Sequence, residues 1–246
     1  MWKEIHFRFH FSVGYHHSSS NHILDCFEYQ IRKCLKLANG EGVAREISEV
    51  LENSETFVLI GHKGASSLSD FGIEKINKLR GCLIEGCHGI ETIIDGHSQR
   101  RKALERLEMM YINDVKELKS ICEGPVDSGS LANLTSLILM KCPELKKIFS
   151  REFEPKVLPK LKRLELDDLP KVESIYTDDS LEWPALENIK ISGCDSLTRL
   201  PFNCKNAVKL RCIECEQSWW EKLGWKEQRL RSICIFNEAF RPISSR

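Results

Sequence analysis

The sequence predicts an α/β solenoid, with short parallel strands on a concave side, irregular or helical segments on a convex side, and about seven to nine coils. Two observations carry this. Five stretches, beginning at Leu79, Leu104, Leu134, Leu161 and Leu186, share the spacing L-x-x-Φ-x-Φ-x-x-Φ-x-x-Φ-x-x-Φ, where Φ is apolar. All 30 ladder places hold Leu, Ile, Val, Met or Cys, in a chain that is 41% hydrophobic. Chance would fill roughly twelve of them. The second observation is the period: the starts are 25, 30, 27 and 25 residues apart.

That period and spacing are those of a leucine-rich repeat. The fourth and sixth places point to one side of a short strand, and the ninth turns the chain inward as the strand ends. Prolines fall at the same edges: Pro159 and Pro184 come two residues before a ladder, and Pro143 and Pro170 follow a ninth place. A coil alone leaves an apolar face wet, so stacking on its neighbours is what stabilises it.

From the N-terminus, Ile5, Phe7, Phe9, Phe11 and Val13 alternate with polar residues and predict a half-buried strand. The polar stretch 14–22 follows, with His16, His17 and His22; no cysteine or carboxylate spacing completes a ligand set there, so a solvated loop is expected. The residues "CLKLANG" lead into a helix presenting Val43, Ile47, Val50 and Leu51 on one face, and "TFVLIG" makes the next strand. Residues 1–55 thus form a degenerate repeat segment of strand, loop and helix. The repeats proper run over 56–246, with weaker units at Ala207 (Leu210, Cys212, Cys215) and Leu230 (Ile233, Ile235) and a C-terminal capping coil.

The stretch "KLRCIECEQSWWEKLGW" holds Cys212 and Cys215 in a C-x-x-C spacing. Cys87, Cys142, Cys194 and Cys215 all read as ninth-place residues, each in a different coil, so the expectation is structural thiols and no metal site. Eleven cysteines, an odd number scattered through apolar runs, suit a reducing compartment. "SWWEKLGW" reads as a convex helix whose tryptophans cover the end of the stack.

Thirty-six basic residues balance thirty-six acidic ones, so no overall field draws the chain to nucleic acid or to a membrane surface. No apolar run is long enough to span a bilayer, and a soluble, unsecreted chain is expected. No phosphate loop, nucleophile elbow or H-E-x-x-H appears, so neither an enzyme nor a cofactor is expected.

The string "LPKLKRLELDDLPKVESIY…WPALENIKISGCDSLTRLPF", followed by "WWEKLGW" and "FRPI", resembles the C-terminal leucine-rich-repeat region of plant coiled-coil, nucleotide-binding disease resistance proteins. "CLKLANGEG" and "LSDFGIEKINKLRGCLIEGCHGIETIID" resemble the middle of that region. The resemblance implies a fragment or truncated relative, a sensor or autoinhibitory role in defence, and a cytoplasmic or nuclear location. Its implied partner is a protein: a pathogen effector, a guarded host protein or a nucleotide-binding domain. A repeat scaffold, or a substrate receptor of a ubiquitin ligase, is the alternative.

Strand alternation assigns the recognition surface to the residues between and just after the inward places. These are Glu108, Met110 and Tyr111; Ile138, Met140 and Lys141; Arg163, Glu165 and Asp167; then Lys190, Lys209 and Arg211. They predict an apolar step, an acidic step and a basic step in turn along the solenoid. Exposed Met, Ile and Tyr would supply the centre of an interface.

Overall fold

A computed structural model describes residues 8–12, 33–43, 45–72, 76, 78–97, 104–127, 129–149, 158–176, 182–223 and 228–237. Its strands are β1 (Arg8–Ser12), β2 (Cys34–Ala38), β3 (Thr56–Ile60), β4 (Gly81–Glu85), β5 (Thr92–Asp95), β6 (Met109–Asn113), β7 (Ser120–Glu123), β8 (Ser136–Met140), β9 (Arg163–Asp167), β10 (Asn188–Ser192), β11 (Cys212–Glu216) and β12 (Cys234–Asn237). Among the described residues the short helices are α1 (Arg45–Leu51), α2 (Gln217–Lys222) and α3 (Gln228–Ser232). A 3-10 turn, Leu68–Phe71, is capped by Ser67 and Asp70.

Ten strands join in one sheet, in the order β1-β2-β3-β4-β6-β8-β9-β10-β11-β12, and every neighbour is parallel. Chain order and sheet order are the same apart from β5 and β7, which pair with each other on the return side. Each coil therefore adds one strand, as a leucine-rich-repeat solenoid requires. No described helix is long and apolar enough to cross a membrane.

The ladder residues form one core along the whole stack: Leu137, Leu164 and Leu166 are fully buried, and Ile191 is 1% exposed. Ninth-place thiols turn back onto the strand just left. Cys142 Sγ donates to the Met140 carbonyl at 3.2 Å and Cys194 Sγ to the Ser192 carbonyl at 3.3 Å. Burial pushes both thiols up to about 12, so they pack as small apolar side chains.

In the first coils polar residues stand in the same ladder. Ser54 occupies a first place, fully buried, with its hydroxyl donating to the Val50 carbonyl at 3.0 Å. His62 occupies a ninth place, where its Nε2 lies 2.8 Å from the Gly42 carbonyl oxygen. A side chain at Gly40 would come within 2.9 Å of the His62 ring, so the imidazole uses the space a Cβ would fill.

One further column runs through the stack. The residue just after the strand is left-handed at Asn39, Gly61, Gly86, Asp114, Lys141, Asp168 and Gly193, with φ between 51° and 64°. This turn aims each N–H at the next coil: Lys141 N donates to the Asp167 carbonyl at 2.9 Å and Asp168 N to the Ser192 carbonyl at 3.0 Å. Gly, Asn and Asp occupy the column everywhere except Lys141, because they tolerate that backbone best.

The register differs from the sequence expectation in two coils. Met110 pairs with Cys82 and Leu137, and Ile112 with Ile84 and Leu139, so the β6 ladder begins at Leu107 rather than Leu104. Ile213 likewise pairs with Ile189, so the β11 ladder begins at Leu210 rather than Ala207. Both shifts are three residues. Leu104 and Ala207 are buried as well, each 1% exposed, as an additional apolar residue three places before the ladder. An apolar pattern that recurs every third residue cannot reveal such a slip. The corrected starts at 79, 107, 134, 161, 186 and 210 are 28, 27, 27, 25 and 24 residues apart, a smoother period.

Cys215 therefore takes a sixth place, not a ninth, and Cys212 lies in the opposite, concave row of β11. In the last coil Cys234 and Phe236 pair with Ile213 and Cys215, which puts Ile235 in the concave row, where it is 55% exposed. At the C-terminal end Trp219 and Trp220 of α2 are buried, and Trp219 Nε1 donates to the carbonyls of Cys194 at 3.2 Å and Leu197 at 3.0 Å. Trp220 meets Phe236 edge to face at 6.4 Å. His16, His17, His22 and Trp225 lie outside the described residues.

Candidate recognition face

Because the strands pair in register, equivalent side chains on the concave face line up in rows across the coils. The middle row runs Lys36, Val58, Leu83, Tyr111, Ile138, Glu165, Lys190, Glu214 and Ile235. A row nearer the strand ends runs Ala38, Ile60, Glu85, Asn113, Met140, Asp167, Ser192, Glu216 and Asn237. The coils from β2 to β8 thus present mainly apolar side chains and those from β9 to β11 mainly charged ones.

The apolar half is a second hydrophobic cluster, separate from the core. Ala38, Val58, Ile60, Leu83 and Tyr111 are its buried members, with Cys34, Met109, Ile138 and Met140 packed against them. Tyr111 is 3% exposed, in contrast to the exposure that alternation alone predicts. Leu83 and Ile138 flank it in register and belong to the same cluster. Burial pushes its phenol up to about 12, with Glu85, Glu165 and Asp167 adding to the effect. Ile138 and Met140 are half-buried, and they are the apolar side chains of β8 that reach solvent on this side.

Glu165 is the charged centre. Its side chain is 9% exposed, and it accepts from Arg163 at 2.7 Å and from Lys190 at 3.0 Å. Burial works to raise its carboxyl, but the two cations outweigh burial and hold it below the usual carboxylate range. Lys190 is raised in turn, first by its hydrogen bond to Glu165. Glu214 accepts from Asn237 at 2.6 Å, and Glu216 from Ser192 Oγ at 3.3 Å. Asp167 makes no side-chain ion pair among the described residues.

The expected surface residues divide accordingly. Tyr111, Ile138, Met140, Glu165, Asp167 and Lys190 lie on the concave rows, and Arg163 in the row where strands begin. Glu108 stands just before β6, bound to Arg80 through two contacts of 2.9 Å, and Lys141 just after β8. Met110 is a correction: it is 1% exposed and faces the core, because the β6 ladder lies three residues later than its apolar pattern suggests. Lys209 and Arg211 are exposed but precede β11, so they stand at the edge where strands begin and not within the concave rows. Their place in the rows belongs to Cys212, Glu214 and Glu216, which sequence reasoning missed. A left-handed residue could have placed β6, since Asp114 marks where that strand ends, but β11 runs directly into α2 without one.

Of the eleven cysteines, ten are described and all ten are free thiols. No group of three or more His, Cys, Asp or Glu comes together to hold a metal among the described residues.

Fold and face together define a leucine-rich-repeat solenoid with a mixed apolar and charged concave surface. The proteins it resembles are plant disease resistance proteins. A probable disease resistance protein of Arabidopsis thaliana is 27% identical over 127 residues, covering 49% of this chain and 13% of that protein. A putative disease resistance protein of the same plant is 30% identical over 159 residues, covering 58% and 17%. Disease resistance protein SUMM2 of Arabidopsis thaliana is 26% identical over 218 residues, covering 83% and 22%. The chain thus spans roughly a fifth or less of the length of such relatives. No family model matches it. Among solved structures, the plant peptide hormone receptor RGFR1 in complex with RGF2 matches with a TM-score of 0.23 at 12% identity, covering 83% of this chain and 47% of that one. That score adds nothing to the fold, which rests on the sheet itself.

Proposed function

We propose that this chain is a non-enzymatic protein-recognition module acting in plant defence inside the cell, with the concave face as its recognition surface. The observation that carries the reading is the concave surface of β8 to β11: half-buried Ile138 and Met140 stand beside an ordered network of charges. Such a surface combines an apolar anchor, which sets dissociation, with charges that steer encounter. The likeness to disease resistance proteins supplies the context of defence. The free, packed thiols suit a reducing compartment. In a full-length receptor the repeats would act as the sensor or autoinhibitory part, and their partner would be an effector, a guarded host protein or a nucleotide-binding domain.

The test is retention of partners from plant extract by the tagged chain, compared among three variants. Met140→Asp and Asp167→Lys alter the concave face, while Lys146→Glu alters an exposed residue on the return side of its coil. Partners kept by the wild type and by Lys146→Glu but lost by both concave variants are the expected result. Loss with Lys146→Glu alone would put recognition on the other side and refute the reading.

A further inference from the structure

The charge on this face is divided across the strands as well as along the solenoid. At the edge where β8 to β11 begin stand Lys160, Lys162, Arg163, Lys209 and Arg211, all exposed, against one carboxylate, Glu187. At the edge where the same strands end stand Asp167, Asp168 and Glu216, against one cation, Lys141. Within that second edge Glu216 is held by Ser192 Oγ and the Gly193 N–H, both neutral donors, and Asp167 has no ion pair among the described residues. Between the edges, Glu165 pairs with Arg163 and Lys190, and with Glu214 beside Lys190 in the same row the four groups sum to zero formal charge, so the edge where strands begin keeps Lys160, Lys162, Lys209 and Arg211. The two edges thus retain opposite charge, while the middle is balanced and carries Ile138 and Met140 at its β8 end.

We propose that this surface takes an amphipathic helix of a protein partner, lying across the strands with a basic flank on the Asp167, Asp168 and Glu216 edge and an acidic flank on the Lys162, Lys209 and Arg211 edge. Charge complementarity argues for the flanks. Width argues for the helix: a five-residue strand separates the edges by roughly 13 Å, close to the 10–12 Å diameter of a helix with its side chains and well above the roughly 5 Å of a single extended chain. The helix's apolar stripe meets Ile138 and Met140, whose exposure leaves them available. Each flank pairs with groups that the protein's own network leaves uncompensated, so contact does not require breaking the Arg163–Glu165–Lys190 triad.

The inference rests on the concave face being the recognition surface, and its test separates the two. The probe is a designed helical peptide with a leucine stripe, lysines on one flank and glutamates on the other. Two controls replace the lysines alone, or all charged residues, by glutamine. Affinity is measured by fluorescence anisotropy at low and at raised salt, and the site by backbone amide shifts of the whole chain. The charged peptide should bind at the concave amides and weaken at least threefold with salt. Asp167→Asn with Asp168→Asn should weaken it at least threefold again, yet leave the peptide without lysine unchanged; Asn is tolerated at the left-handed place of Asp168. An uncharged peptide that binds the concave amides as tightly as the charged one would overturn the charge pairing and leave the recognition reading standing. Amide shifts confined to the return side of the coils, around Lys146 and Glu173, would overturn both. Absence of binding by every peptide would overturn the helix proposal alone.

Discussion

Met109 and Met110 are adjacent, chemically identical, and assigned by the structure to opposite sides of β6. Met110 is 1% exposed and lies between Cys82 and Leu137 in the core. Truncation to alanine there should cost about 2–5 kcal/mol, the transfer term plus a cavity that stacked neighbours on both sides cannot fill. Met109 is half-buried against the concave cluster, so its truncation leaves a dent open to solvent and should cost about 1 kcal/mol. For a chain of this length each kcal/mol moves the midpoint by about 2–4 °C, so a 3 kcal/mol loss in Met110→Ala appears as a drop of about 6–12 °C. The assay is thermal and urea unfolding followed by circular dichroism, with both variants and the wild type side by side. Because a solenoid can open coil by coil, equality of the urea slopes is checked first. A larger loss in Met109→Ala than in Met110→Ala would refute the register of β6 and, with it, every concave residue assigned in that coil.

Three other outcomes follow from single features. Lys141 holds a left-handed backbone with φ 51° in a column of Gly, Asn and Asp, so Lys141→Asn should add about 0.5 kcal/mol and Lys141→Val should remove about 1 kcal/mol or more, read from urea midpoints. Burial lowers the pKa of His62, so as pH falls through the ordinary histidine value of about 6.5 the unfolded chain takes up a proton before the folded one does; that part of the stability is present above this pH and lost below it. His62→Asn should therefore show a shallower loss than the wild type between about pH 7.5 and 5.5, and parallel curves would remove His62 from the account. Trp219→Phe deletes the N–H that reaches the Cys194 and Leu197 carbonyls and should cost about 1–3 kcal/mol, first visible as faster hydrogen exchange in the last coils.

The fold was legible because the repeat states its apolar places again and again, and in the coils of β4, β8, β9 and β10 the stated places are the buried ones. The first coils were fainter for a physical reason. Ser54 and His62 stand where apolar residues are expected: the Ser54 hydroxyl is satisfied by the Val50 carbonyl, and His62 pairs its Nε2 with the Gly42 carbonyl while its Nδ1 is buried without a partner among the described residues. The face was legible only in part. Strand alternation has a period of two and the ladder has steps of three and two, so a three-residue slip keeps every ladder place apolar while exchanging the two sides of the strand. That is why Met110 and Cys212 changed sides together with their coils. For β6 the left-handed turn at Asp114 carries the missing information, because backbone strain at φ near 55° favours Gly, Asn or Asp whatever the hydrophobic pattern does; β11 has no such turn.

The same slip decides how charge on the face is read. With Lys209 and Arg211 in the rows, the surface divides into acidic and basic steps along the solenoid, and a partner would be matched coil by coil. With Glu214 and Glu216 in the rows, and Lys209 and Arg211 at the edge where strands begin, like charges gather by position within the strand instead. Parallel in-register pairing then repeats each position about every 4.8 Å, so neighbouring coils reinforce a single stripe. Stripes on opposite edges favour a ligand that extends across several coils, and they discriminate by the distance between its flanks. A change at one coil, such as Asp167→Asn, should therefore weaken such a ligand by a step, whereas Lys141→Glu, which removes the one cation of the acidic edge, should strengthen a basic flank and raise its association rate most at low salt. An association rate that falls in Lys141→Glu would show that the flank meeting this edge is acidic, and would reverse the polarity assigned to the partner.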